Sequence, residues 1–177
     1  MIPIPLPPAQ LLHELQQRIT TEIKDAWLFP QRRAVGGFLG TGPIVIVGWR
    51  PSHSPFPDEG ANRLFYDILT EYGLENAHLT NVIKSRGRKG DPDPEDLPVH
   101  EEIFWRELEI TSAPYAVAPM GNEYYDRIAA LLLARGVKPI ARLPQYASMN
   151  YGPDQVAAFR RAIADLAAVA RRYKWIP

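Results

Sequence analysis

The chain has 177 residues, of which 46% are hydrophobic and 23% charged, with Lys+Arg and Asp+Glu both at 20. That length fits one domain with a substantial core, and the charge balance excludes a whole-surface nucleic-acid footprint, so any such contact must come from a local basic patch. Zero cysteines exclude disulfides, thiolate nucleophiles, zinc-thiolate sites and cysteine-held iron–sulfur clusters.

In chain order, the proline-rich residues 1–8 read as extended. Over 9–27, Leu11, Leu12, Leu15, Ile19, Ile23 and Trp27 recur at helical spacing, which predicts an amphipathic helix. Residues 44–47 form an apolar β-branched run that reads as a buried strand ending at Gly48. A loop rich in Pro, Ser and Asp leads to a helix from about 60, with Leu64, Phe65, Ile68 and Leu69 on one face. A second strand is expected over 78–82, then a basic turn (Lys84, Arg86, Arg88, Lys89) and an exposed loop, 90–98. A helix over 99–110 turns Ile103, Phe104 and Leu108 inward. A third strand follows over 115–118 and a helix from 121–122 to 135, capped by Gly136. A fourth strand, 137–141, is interrupted by Pro139 and placed at an edge. A final helix spans 154–173.

Strands alternating with helices predict an α/β fold: one domain, 1–177, built as a three-layer α/β/α sandwich around a mainly parallel four-stranded sheet. Ligands of such sheets bind outside the carboxyl ends of the strands. Three loops should therefore converge: 48–60, 81–89 and 143–152. The first carries Arg50, His53, Asp58 and Glu59, side chains capable of acid–base or electrostatic work, or else of forming no more than a solvated polar loop. Asn81, at a strand exit, offers one acceptor and two donors, which suit the edge of a heterocycle. As a turn former or helix cap it would have no such role. The third loop presents Tyr146, Met149 and Tyr151, suited to stacking or wedging. No GxGxxG, GxxxxGK[ST] or GxSxG motif is present, and four scattered histidines show no metal spacing.

The sequence Gly48-Trp49-Arg50-Pro51-Ser52, then Phe56, then Asn62-Arg63-Leu64-Phe65-Tyr66 resembles the first motif of the mismatch-specific branch of the uracil-DNA glycosylase superfamily (GINPG, a serine, a phenylalanine, NRFW). Thr80-Asn81-Val82-Ile83-Lys84-Ser85-Arg86 resembles TNVVKCRP of the thermophile-type branch. Leu143-Pro144-Gln145-Tyr146-Ala147-Ser148-Met149-Asn150 loosely resembles LPNPSGLS. The resemblance covers about 42–152 and implies a DNA glycosylase that excises uracil or another deaminated base, acting in base excision repair. By position, Phe56 would stack on the extruded base and Asn81 would pair with its edge. Gly48 and Pro51 would shape the pocket, and Ser52 would hold a phosphate. Lys84, Arg86, Arg88 and Lys89 would contact DNA, as would Tyr146, Ser148 and Met149, with Met149 as the wedge. Trp49 and Arg50 stand where the family carries a water-positioning Asn, Asp or Glu, so Asp58, Glu59 and His53 are the catalytic candidates. The alternative is a relative that binds nucleic acid or a nucleobase without excising it. The expected partner is DNA with a damaged base, with no cofactor, iron–sulfur cluster, metal or membrane, and the chain acts as an intracellular, cytoplasmic monomer.

Overall fold

The computed structural model describes residues 6–88, 90–111 and 116–177. Lys89, Tyr115 and residues 1–5 of the proline-rich start lie outside the described residues. The elements are mixed α/β. A parallel sheet has the order β2-β1-β3, with β1 Val45–Gly48, β2 His78–Asn81 and β3 Val117–Pro119. Every residue of the three strands is buried, the pattern of a parallel sheet whose faces are both covered. The helices are α1 Pro8–Glu22, α2 Gly60–Glu71, α3 Leu97–Thr111, α4 Tyr125–Leu133 and α5 Pro153–Arg172. Short 3-10 helices cover Gly37–Leu39 and Tyr146–Tyr151. None of the described helices is long and apolar enough to cross a membrane.

The core divides in two. Residues from the sheet, α2, α4, α5 and part of α3 form the larger cluster, with Phe65, Phe104 and Phe159 at 0% exposure. A smaller cluster joins α1 and α3 through Leu12, Ile19, Phe38 and Ile103. Each such large apolar side chain contributes about 1.5–3 kcal/mol by leaving water.

The sheet has three strands among the described residues, not four. Residues 140–143 do run beside β3: Ile140 N–H donates to Val117 C=O at 2.9 Å, and Leu143 N–H to Pro119 C=O at 2.9 Å. The ladder breaks between them because the acceptors are two residues apart and the donors three. Pro119 also lacks the N–H that would return a bond to this segment, and Pro139 lacks one on the other side. What survives is a single parallel bridge, Met120 to Leu143.

Two boundaries also differ from the periodicity. α1 stops at Glu22, five residues short of Trp27, although Trp27 continues its apolar stripe. Residues 25–27 pair instead with the turn after β2: Lys84 C=O accepts Trp27 N–H at 2.7 Å, and Asp25 C=O accepts Arg86 N–H at 2.9 Å. α4 begins at Tyr125 rather than 121–122, because Gly121 takes φ +102° and turns the chain before the helix can start.

Candidate functional site: a cavity at the strand ends

Beyond the carboxyl ends of all three strands lies a cavity of about 380 Å³. Gly48, Asn81 and Met120, the residues that end or follow β1, β2 and β3, line it. Around them stand Trp27, Phe29 and Tyr146 as aromatic walls, with polar groups from Ser52, Asn122, Glu123, Gln145, Ser148 and Gln155.

Gly48 and Asn81 are register partners on neighbouring strands. A Cβ on residue 48 would sit 2.4 Å from Asn81 Oδ1, closer than any real carbon–oxygen contact. The missing side chain is therefore what lets the Asn81 carboxamide stand at the cavity wall. Gly48→Ala is expected to displace that carboxamide and weaken ligand binding at least tenfold while the sheet still forms. Titration of both proteins with uracil and with a uracil-containing oligonucleotide, as candidate ligands, checks this, and equal affinity would refute it. Ser148 adds a second polar group, since its buried Oγ has no hydrogen-bond partner among the described residues. Burial pushes the Tyr146 phenol up to about 12, with the Arg86 and Arg32 charges working in the opposite direction. It is thus a neutral hydroxyl at physiological pH, and it stacks on Phe65 with ring centroids 5.0 Å apart.

The cavity brings together Gly48, Pro51, Ser52, Asn81, Tyr146 and Ser148 from the residues singled out in the sequence. Others it leaves aside. Phe56 is half-buried behind the wall, 5.2 Å from the Trp27 ring and 5.7 Å from Tyr146, with the Arg32 guanidinium 4.5 Å from its centroid. It props the aromatic wall and is not a cavity-lining residue. His53, Asp58 and Glu59 are exposed and line no part of the cavity, and Asp58 lies 3.7 Å from Arg33. Residues 53–59 run outward toward α2, so their acid–base groups are not where a cavity-bound ligand would be. Met149 is 5% exposed and faces a separate shallow cavity with Gly60 and Leu64, so it is no wedge in this conformation. On the same loop Tyr151 is 85% exposed. Arg86 and Arg88 line a shallow depression with Asp25 and Asp91, beside the cavity rather than in it.

Lys84 requires the largest correction. It is fully buried and cannot reach a phosphate on DNA. Its Nζ lies 2.5 Å from Glu107 Oε1 and donates to Thr80 Oγ1 at 2.8 Å and to the Asn81 carbonyl. Glu107 Oε2 in turn meets His78 Nε2 at 3.0 Å. Burial pulls the Lys84 ammonium down and the Glu107 charge opposes it. Burial alone would raise the Glu107 carboxyl, but the Lys84 charge and His78 hold it below its ordinary range.

Trp49 and Arg50, at the exit of β1, have partners of their own. Trp49 Nε1 donates to Asp93 Oδ1 at 3.0 Å, and Arg127 bonds the other carboxylate oxygen while lying 4.2 Å from the Trp49 ring centroid. Arg50 donates to the carbonyls of Asp91 at 3.1 Å and Pro92 at 3.2 Å. Both side chains border the cavity while tying the loop after β2 to its rim.

Sequence reading missed Trp27, Phe29, Glu123, Gln145 and Gln155. Gln145 and Glu123 were within reach, since both follow strand-like segments at the same sheet end. Trp27, Phe29 and Gln155 carry no local signal. A scan against models of known protein families matches none of them, and a comparison with curated protein sequences returns no match.

Proposed function

We propose that the chain is a DNA glycosylase-like enzyme that takes a flipped-out uracil or related deaminated base into this cavity and hydrolyses its N-glycosidic bond. The observation that carries the reading is convergence. Gly48–Ser52, Asn81, and Pro144–Tyr146 with Ser148 come from three separate parts of the chain and line one cavity. A base buried there would find the Asn81 carboxamide and Ser148 Oγ at its edge, with Trp27, Phe29 and Tyr146 against its faces. Tyr151 and the guanidinium groups of Arg86 and Arg88 are the groups beside the cavity that suit duplex and phosphate contact. The three-layer α/β/α arrangement belongs to this same reading, supported by α2 and α5 meeting the 146–151 turn while α1 meets α3.

Glu123 takes the catalytic role in place of Asp58, Glu59 and His53, because it is the one carboxylate among the described cavity-lining residues. It accepts a proton from a water whose oxygen attacks the sugar C1′, while the bond to the base nitrogen breaks and the base leaves as an anion stabilised by Asn81. Purified protein incubated with uracil-, hypoxanthine- and xanthine-containing duplexes, then alkali, should give strand cleavage on at least one substrate. Glu123→Gln should lower that rate by about 10²–10⁴-fold and leave DNA affinity within about twofold. No cleavage of any substrate at stoichiometric protein would reject excision.

A second reading, base or nucleic-acid binding without excision, is favoured by one observation. Trp49 and Arg50 occupy the water-positioning places and are both bonded to the 91–93 segment. Tight binding to a lesion duplex with no cleavage would select it.

A further inference from the structure

We infer that Lys84 is the positioning residue of the cavity, fixing the backbone that carries Asn81 and Trp27; this rests on Asn81 as the group that reads the base. A lysine ammonium has three donors, and three partners surround Nζ: Thr80 Oγ1, the Asn81 carbonyl and Glu107 Oε1. The backbone of the same residue is equally committed. Its N–H donates to His100 Nδ1 at 3.0 Å, and its carbonyl accepts the Trp27 N–H at 2.7 Å. The two residues before it extend the grip to the exit of β1, where Val82 N–H donates to Gly48 C=O at 2.9 Å and Ile83 N–H to Trp49 C=O at 2.8 Å. One turn therefore binds four cavity-lining residues: Gly48, Trp49, Asn81 and Trp27.

Stability alone is a poor explanation for a charge at this place. Taking an ion pair out of water costs about as much as its attraction returns, and well-packed apolar replacements are often neutral or better. The buried charge does supply something apolar side chains cannot, a directed donor to the Asn81 carbonyl. Glu107 on α3 then supplies the charge that compensates the ammonium, and His78 on β2 holds the other oxygen of that carboxylate.

The test compares wild type with Lys84→Met/Glu107→Gln, which removes both charges while keeping side-chain volume close. In ¹⁵N-labelled protein, the Asn81 side-chain NH₂ signals, identified by their loss in Asn81→Ala, should shift or broaden in the double variant. The Trp27 backbone amide should move with them. On the best lesion duplex, single-turnover excision should fall about 10–100-fold, as expected of a misplaced reading group. A folded double variant with wild-type Asn81 and Trp27 signals would overturn the inference. If the double variant does not fold, Thr80→Val decides. It removes one Nζ partner and no charge, and should shift the same signals by a smaller amount; unchanged signals would overturn the inference. Absence of excision by the wild type rejects the glycosylase reading alone, because the NMR comparison needs no substrate.

Discussion

Replacing Asn81 with alanine is expected, on the proposed glycosylase reading, to cut excision of the target base by about 30- to 1,000-fold while the fold survives. The magnitude follows from the two or three hydrogen bonds that this reading gives Asn81 with the base, together about 2–4 kcal/mol, converted at about 1.4 kcal/mol per tenfold. The fold should survive because Asn81 contributes to the protein through its backbone. Its carbonyl accepts from Lys84, and its strand pairing with Gly48 is main-chain only. Alanine keeps both, so the loss of stability should stay within about 1 kcal/mol. Single-turnover kinetics on lesion-bearing duplexes, paired with a denaturant melt, check the two halves separately. Excision within threefold of wild type would remove Asn81 from base recognition.

The largest stability effect is expected at Lys84. Lys84→Met leaves Glu107, which is fully buried, without its cation, an error that costs about 3–5 kcal/mol. Against a total of about 5–15 kcal/mol for an ordinary domain, that is a major fraction. Adding Glu107→Gln should recover most of it, because the uncompensated charge is then gone. Acid should act through the same pair. The Glu107 carboxyl is held low by Lys84 and His78 despite its burial. Its stabilising contribution is present above the ordinary titration range of a glutamate and is lost as pH falls through the depressed folded value. Urea melts at a series of pH values between 3 and 7 should show wild type losing stability toward the acid end, with a flatter profile in Glu107→Gln. A single Lys84→Met variant as stable as wild type would refute the role of the pair.

The two effects separate cleanly because they act on different atoms of one strand end. The Asn81 carboxamide faces the cavity, and its carbonyl faces the buried charges. A variant can therefore remove recognition without disturbing the core, or disturb the core and recognition together.

Where local pattern decides the conformation, the elements could be read from the chain. The apolar β-branched run at 45–47 could only be buried on both faces, and the stripe of Phe65, Ile68 and Leu69 could only turn one side of a helix inward. Asn81, at the end of a buried strand, was legible for the same reason: a polar side chain there must meet a cavity, a partner or solvent. The buried charge was partly legible too. Glu107 falls on the same face of α3 as Ile103, Phe104 and Leu108, and an acid on an apolar face demands a cation. What the pattern could not say is which cation, and a lysine in a basic turn reads as surface.

The loop that follows β1 shows the opposite limit. His53, Phe56, Asp58 and Glu59 are near Gly48 along the chain, yet the loop leaves the strand end and runs toward α2, where Arg32 and Arg33 hold it. Chain distance does not set direction, because a loop goes where its anchors are, and these anchors lie more than 20 residues upstream. Trp27, Phe29 and Gln155 enter the cavity from the same kind of remote packing.

The chain by itself determined the α/β alternation, the parallel sheet with three of the four strands expected of it, and a group of residues at their carboxyl ends that includes Gly48, Asn81 and Tyr146. Those follow from periodicity and from the rule that buried polar groups need partners, both of which act over a few residues. The tertiary structure alone decided that Lys84 is an interior cation, that Phe56 is a prop, that Glu123 is the one carboxylate among the described residues lining the cavity, and that the 140–143 segment meets β3 at a single bridge. Each of those outcomes depends on which groups pack together, from the 2.8 Å hydrogen bond of Lys84 to the 5.2 Å ring separation of Phe56 and Trp27.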